Sequence, residues 1–178
     1  SRRLPKSYGY DPLRDIQVIT PAKQGPLGTR ELNRLLQGKL NPPERGKGEA
    51  TLMGRTLREG DKVMQIRNNY DIIWQQPDGT AGTGIFNGDM GIIEMLDPGS
   101  KTIQVRFEEK LATYSFENQD QLEHAYAVTV HKSQGSEFEA VVMPLERRHP
   151  KLHYRNLLYT AVTRARKLLI MTGQKETV

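Results

Sequence analysis

Residues His124–Phe138 read HAYAVTVHKSQGSEF. Ala125, Ala127, Val128 and Val130 are apolar and predict a buried strand. The chain then turns polar at once, through His131, Lys132, Ser133, Gln134, Gly135, Ser136 and Glu137. An apolar strand that ends in a basic, glycine-containing turn is where α/β folds hold ligands, because the loops at the carboxyl ends of parallel strands open outside the sheet. Taken alone, the stretch reads equally well as an ordinary strand and turn. A second stretch, NLLYTAVTRARK over Asn156–Lys167, shifts that balance. Leu157, Leu158, Ala161, Val162 and Ala165 recur there at helical spacing. Arg164 and Arg166 stand at the end of this predicted helix, just before an apolar strand, Leu168–Met171.

TVHKSQGSEF resembles motif V of superfamily 1 helicases, and LLYTAVTRARK resembles their motif VI. The pair is similar to the C-terminal motor region of RecD-like DNA helicases, the group that includes the exodeoxyribonuclease V alpha subunit. What that resemblance implies has to be weighed against the rest of the chain.

The 178 residues suffice for one or two small domains with real cores. Hydrophobic residues make up 36% and charged residues 26%, an ordinary globular balance. No apolar run is long enough for a membrane helix, and the start, SRRLPKSYGY, lacks the apolar segment of a signal peptide. There is no cysteine, which excludes disulfides and thiolate zinc sites. The net charge of +5 permits a polyanionic partner without requiring one. The expected location is the cytoplasm of a bacterium. The chain opens on Ser1, and its basic stretch through Leu13 contains proline and glycine. Residues 1–14 are therefore expected to be a linker within a longer protein.

Asp15–Thr20 (DIQVIT) predicts a short strand that Pro21 ends. A loop with two prolines and two glycines follows. Thr29 then suits a helix N-cap for residues Arg30–Gln37, with Leu32, Leu35 and Leu36 as the expected buried stripe. Strand, glycine-rich turn and helix can bind phosphate, since a helix start presents free N–H groups. They can equally be a plain connection. No G-x-x-x-x-G-K-S/T phosphate loop occurs anywhere. Asn41–Gly48 (NPPERGKG) is a polar break. Beyond it, Asp61–Arg67 alternates like a strand, and Asn68–Thr83 reads as a long polar loop holding Trp74 and the turn Asp78-Gly79. Asn87-Gly88 is a strong turn signal before a strand at Met90–Met95. Ile103, Val105 and Phe107 alternate, and Leu111–Phe116 follows after a short charged turn. Short strands with tight turns predict a small β-barrel.

The predicted fold class is α/β: a RecA-like motor domain, a parallel sheet with flanking helices, interrupted by an inserted β-barrel. By resemblance the barrel is SH3-like, with GDKVMQIRNNYD and IFNGDMG as its signature segments. The expected division is a linker at 1–14, the first part of the RecA-like domain at 15–57, the barrel at 58–117 and the second part at 118–178.

The resemblance further implies an ATP-dependent DNA helicase, moving 5′ to 3′ on single-stranded DNA. Arg164 would reach the γ-phosphate, as a permanently charged, bidentate cation suits that task. The competing reading is a helix-end arginine that complements the helix dipole. Glu137 would accept hydrogen bonds from the ribose hydroxyls, beside Gln134 and Gly135, or else be a solvated loop acid. QVITPAKQGPLGTRELNRLLQ resembles motif IV and its helix. Family members carry a basic residue immediately before Gly25; here Gln24 stands there, so Lys23 is the expected phosphate contact. By resemblance Thr129, His131 and Lys132 would sit near the DNA track, where they suit phosphate contacts, or couple it to the nucleotide site. Asn68, Asn69 and Asn87 would form a DNA-facing edge of the barrel with Tyr70, Trp74 and Phe86, while Arg67 and Lys110 add charge. Those aromatics and asparagines also fit core and turn positions. Arg166 is expected on the surface. No metal site is expected: His131, His149 and His153 have no partner set. Magnesium would accompany ATP on ligands in an upstream RecA-like domain of the same protein. This chain alone, without Walker A or B motifs, is expected to be inactive, and the parent to be monomeric. The alternative is a non-enzymatic nucleic-acid-binding module.

Overall fold

The computed structural model describes residues 3–145 and 151–173, apart from the side chains of residues 3 and 151–157. His149 lies outside the described residues, as do the side chains of His153 and Leu157. In chain order the helices are α1 (Arg3–Tyr8), α2 (Thr29–Leu40) and α3 (Lys151–Arg164). The strands are β1 (Ile16–Thr20), β2 (Glu49–Leu52), β3 (Arg55–Arg58), β4 (Lys62–Gln65), β5 (Asn69–Gln75), β6 (Ala81–Ile85), β7 (Met90–Asp97) and β8 (Thr102–Phe107). They continue with β9 (Lys110–Ser115), β10 (Leu122–His124), β11 (Ala127–Thr129), β12 (Phe138–Pro144) and β13 (Ala165–Thr172). A 3-10 turn, Phe116–Gln121, precedes β10.

Two compact units result, one of residues 1–36 with 126–178 and the other of residues 37–125. In the first, a sheet runs β11-β1-β12-β13, with every described pairing parallel. Strands of such a sheet are apolar throughout because helices cover both faces. Ile19, Ala127, Val128, Ala140, Val141 and Met143 are accordingly buried. After β1 the backbone doubles back tightly. The Gly28 N–H donates to the Gly25 carbonyl at 3.0 Å, and Gly25 sits at φ +92°. A Cβ on Gly28 would stand 2.5 Å from the Gln24 backbone, so only glycine fits there.

Helix α2 is longer than the expected 30–37, and its buried side differs from the leucine stripe. Leu35 is 47% exposed, while Asn33 is buried. The Asn33 amide donates to the Ala127 carbonyl at 2.9 Å and accepts the Ala127 N–H at 2.8 Å. One side chain thus satisfies both backbone groups at the free edge of β11. Asn33→Ala is expected to cost about 2–3 kcal/mol, since two buried backbone groups lose their partner. Faster amide exchange in β11 would report it. Asn33→Asp is expected to do no better, because a second carboxylate oxygen would face the Ala127 carbonyl.

The second unit is an antiparallel sheet, β10-β4-β7-β8-β9-β5-β6, with a separate β2-β3 hairpin. Its core gathers Leu57, Val63, Ile72, Ile85, Ile93, Val105 and Tyr114, among others. Burial, and secondarily the charge of Asp89, hold the Tyr114 hydroxyl well above its usual range. It remains a neutral donor to Gln65 Oε1 at 3.0 Å.

The fold is the expected α/β architecture with an inserted antiparallel unit, but several local expectations give way. Residues 68–83 are not a loop: β5 and β6 form a hairpin about the Asp78-Gly79 turn. Asn69–Gln75 shows no clean apolar alternation, because Tyr70 and Ile73 are exposed while Ile72 is buried. The expected barrel, 58–117, lies inside the observed unit, which also takes in β2, β3 and β10. Helix α1 occupies part of the expected linker. The strand expected through Val130 is broken between β10 and β11. Helix α3 ends at Arg164, so Ala165 and Arg166 belong to β13, and Val162 is 49% exposed rather than buried.

Candidate nucleotide and nucleic-acid site

The site begins where β1 and β11 end. Thr20 is level with Thr129, and the Val130 N–H donates to the Thr20 carbonyl at 3.1 Å. The loops that follow both strands therefore leave the sheet at its carboxyl edge, the usual position of ligands in parallel α/β sheets. Beyond Val130 the chain winds into a compact turn. The buried Ser133 hydroxyl donates to the Val130 carbonyl at 2.7 Å, and its N–H donates to the Thr129 carbonyl at 3.1 Å. Gly135, at φ +85°, reverses the direction without the strain a side chain would bring. The Ser136 N–H closes the turn on the Ser133 carbonyl at 3.2 Å.

Within this turn the expected residues separate. Thr129 is buried, and its Oγ1 accepts the Lys132 N–H at 3.3 Å. Its hydroxyl thus helps to shape the turn. His131 and Gln134 are exposed and Lys132 is half-buried. The turn presents them because Thr129 and Ser133 are tied down beneath.

The end of α3 meets the far side of the turn. Arg164 donates through Nη1 to the Ser136 carbonyl at 3.2 Å and through Nη2 to Thr163 Oγ1 at 3.4 Å. Its Nε is buried and has no hydrogen-bond partner among the described residues. A buried N–H on a cation without an acceptor is costly, and such groups are rare unless something else completes them. Glu137 is also engaged: its Oε2 accepts from Arg166 Nε at 2.9 Å. Nearby, Lys167 pairs with Glu139 at 2.7 Å. The close contact with Lys167 holds the Glu139 carboxyl below its ordinary value, and the same contact raises the Lys167 ammonium.

The structure thus brings together Gln134, Gly135, Glu137 and Arg164, and adds Arg166, which is exposed as expected yet bound to the site's carboxylate. Lys23 lies exposed in the loop after β1, with no side-chain bond to this group among the described residues. Among the described residues, Arg164 Nε has no hydrogen-bond partner and Glu137 is bonded through Oε2. Among the described residues no three or more His, Asp or Glu side chains come together as a metal-ligand set.

In the other unit, Asn68 and Asn87 come together: the Asn87 N–H donates to Asn68 Oδ1 at 2.9 Å. Asn69 is committed to structure, accepting the Asp71 N–H and donating to Gln121 Oε1, each at 2.9 Å. Beside them the Tyr70 and Phe86 rings meet edge to face, centroids 5.7 Å apart, and are 66% and 41% exposed. Trp74 covers Gly82, and the Lys110 ammonium sits 4.8 Å over its ring. Arg67 pairs with Asp120.

The sequence reading missed Asp61, which is fully buried. Its carboxylate accepts from Gln37 and Asn41 side chains, each at 2.7 Å, from the Arg58 N–H at 2.9 Å and from His124 Nε2 at 3.1 Å. Asp61 opens the stretch that alternates like a strand, and nothing local marks its carboxylate as buried.

Residues 32–107 match the family described as ATP-dependent RecD-like DNA helicase SH3 domain. Residues 124–172 match the UvrD-like helicase C-terminal domain. The chain is 35% identical over 158 residues to the ATP-dependent RecD2 DNA helicase of Deinococcus radiodurans, covering 89% of this chain and 20% of that protein. It is 26% identical over 163 residues to the RecBCD enzyme subunit RecD of Buchnera aphidicola, covering 90% of this chain and 25% of the subunit. The chain therefore spans about a fifth to a quarter of these relatives. Among solved structures, Bacteroides Pif1 bound to ssDNA superposes with a TM-score of 0.56 at 18% identity, covering 92% of this chain and 42% of that one. A structure of two Pif1 helicases at forked dsDNA gives 0.58 at 19% identity, covering 98% and 43%. At such identities the likeness is one of fold.

Proposed function

The chain belongs with the RecD-like superfamily 1 helicases, and on that premise we propose that it supplies one wall of the ATP site and part of the single-stranded DNA track of an ATP-dependent DNA helicase. The observation that carries this reading is Arg164. Its guanidinium is steadied on the Ser136 carbonyl while Nε has no partner among the described residues. In ATP-driven motors a cation from one lobe reaches a γ-phosphate held by the other and stabilises the charge that develops as the phosphoryl group leaves. Arg164 would do this. Glu137 Oε1 would accept the sugar hydroxyls, Gly135 would let backbone approach the nucleotide, and Gln134 and Lys23 would lie at its margin.

ATP and its magnesium would be held mainly by an upstream RecA-like domain of the same protein, and no step in this chain passes through the metal. His131 and Lys132 would contact DNA phosphates without reading sequence. Asn68, Asn87 and the exposed Tyr70–Phe86 pair would add a sequence-tolerant stacking surface. Movement of the two lobes with each ATP turnover would carry them 5′ to 3′, a polarity that rests on the family resemblance.

The test is ATP hydrolysis by the full-length protein with and without single-stranded DNA, alongside DNA binding across a salt series. Stimulation by DNA and affinity that falls as salt rises are expected. Salt-sensitive DNA binding with no stimulated turnover would overturn the motor reading in favour of a non-enzymatic binding module.

A further inference from the structure

Strands β12 and β13 pair in parallel, but their register slips: Phe138 is level with Ala165, whereas Ala140 is level with Leu168. Two residues of β13, Arg166 and Lys167, thus stand opposite the single residue Glu139. In regular strands consecutive side chains point to opposite faces, so two neighbours could not both reach one carboxylate. An extra residue breaks that alternation and re-aims a side chain. Here both cations reach the acidic edge of β12. Lys167 binds Glu139 at 2.7 Å. Arg166 is 3.9 Å from Glu139, and its Nε bonds Glu137 Oε2 at 2.9 Å. Lys167 therefore engages Glu139 and leaves the Arg166 fork for Glu137. Glu137 Oε1 has no partner among the described residues.

We infer that Arg166 is a positioning residue for nucleotide sugar recognition: it holds the Glu137 carboxylate by one oxygen so that the other faces the ribose hydroxyls. The inference rests on the reading that Glu137 meets the sugar. Arg166 itself touches neither sugar nor phosphate, and its influence passes entirely through Glu137. Both side chains are more than half exposed, at 58% and 54%, so the contribution is modest.

The experiment compares ATP with dATP, which lacks one of the two vicinal hydroxyls, in full-length protein carrying Arg166→Ala, Arg166→Lys, Glu137→Ala or the Glu137→Ala/Arg166→Ala pair. Arg166→Ala is expected to raise the KM for ATP by about two- to five-fold, the range an exposed ion pair can supply. It should shrink the preference for ATP over dATP by the same factor and leave kcat within about two-fold, since sugar binding is shared by ground and transition states. Arg166→Lys keeps the charge without the fork and should fall between. Adding Arg166→Ala to Glu137→Ala should change nothing further, because a residue acting through another has no effect once the other is gone. An unaltered sugar preference in Arg166→Ala, or an equal effect in both backgrounds, would overturn the inference. If Glu137→Ala keeps the full preference for ATP, the sugar reading of Glu137 fails and the inference falls with it.

Discussion

Alanine at Arg164 is expected to slow DNA-stimulated ATP hydrolysis by the full-length protein by two or more orders of magnitude, with folding intact. The size follows from the chemistry. Arginine contacts on a transferring phosphoryl group are worth roughly 10³–10⁵ in rate where they have been removed and restored. The site is partly withdrawn from water, which strengthens a charge aimed at the phosphate. The guanidinium also spends one nitrogen on the Ser136 carbonyl and keeps Nε open, so it is oriented before any ligand arrives. Lysine offers a point charge and cannot hold that carbonyl and a phosphate oxygen in the same planar geometry. Arg164→Lys should therefore recover only a small part of the loss. If Arg164 merely complements the dipole at the end of α3, alanine should cost about 0.3–1 kcal/mol of stability and leave turnover nearly normal. The two readings differ by orders of magnitude in kcat, so a steady-state assay with a thermal melt separates them.

The strand, turn and helix around the candidate site were legible because their signals are local and continuous. Ala127–Val130 is apolar, the turn after it is polar with one glycine, and Arg164 follows a helical repeat. Each of these depends on neighbours in the chain. The features that were not legible depend on distant ones. The break between α3 and β13 has no glycine or proline, so nothing in VTRARKL says that the helix stops at Arg164. Only pairing with β12 draws Ala165 into a strand. Likewise Leu35 fits the helical stripe better than Asn33, yet Asn33 is inside because β11 offers an unpaired N–H and C=O for it to satisfy. The β5-β6 hairpin was obscured because apolar Tyr70 and Ile73 face solvent while Ile72 is the buried anchor of the first strand, which breaks the alternation. In each case tertiary hydrogen bonding outweighs local pattern, and a single sequence carries no record of that competition.

The same competition makes Asp61 the position where the second unit should be most easily broken. Its carboxylate collects four donors from four separated places: Gln37, Asn41, the backbone of Arg58 and His124. The Asp61 backbone meanwhile accepts the Ile93 N–H at 2.9 Å, so the residue is anchored in the sheet as well. Removing the carboxylate would leave several buried donors without an acceptor, each carrying a desolvation penalty. Asp61→Ala is therefore expected to destabilise the unit by about 3–5 kcal/mol, the range seen when one member of a buried polar pair is deleted. Asp61→Asn keeps the shape and one acceptor. If its oxygen takes the position of Oδ2, where Gln37, Arg58 and His124 converge, its amide must point at the Asn41 amide, donor against donor. It should cost about 1–2 kcal/mol, since one bond is lost and the others survive. Hydrogen exchange is the suitable measurement, because a chain of two units need not melt in one step. Amides of β4 and β7 should exchange roughly 10²–10³ times faster or more in Asp61→Ala, given about 1.4 kcal/mol per factor of ten. Those of β1 and β12 should change far less. Uniform protection across all four strands would mean that the four donors find water or other acceptors at little cost, and that the buried network is dispensable to the fold.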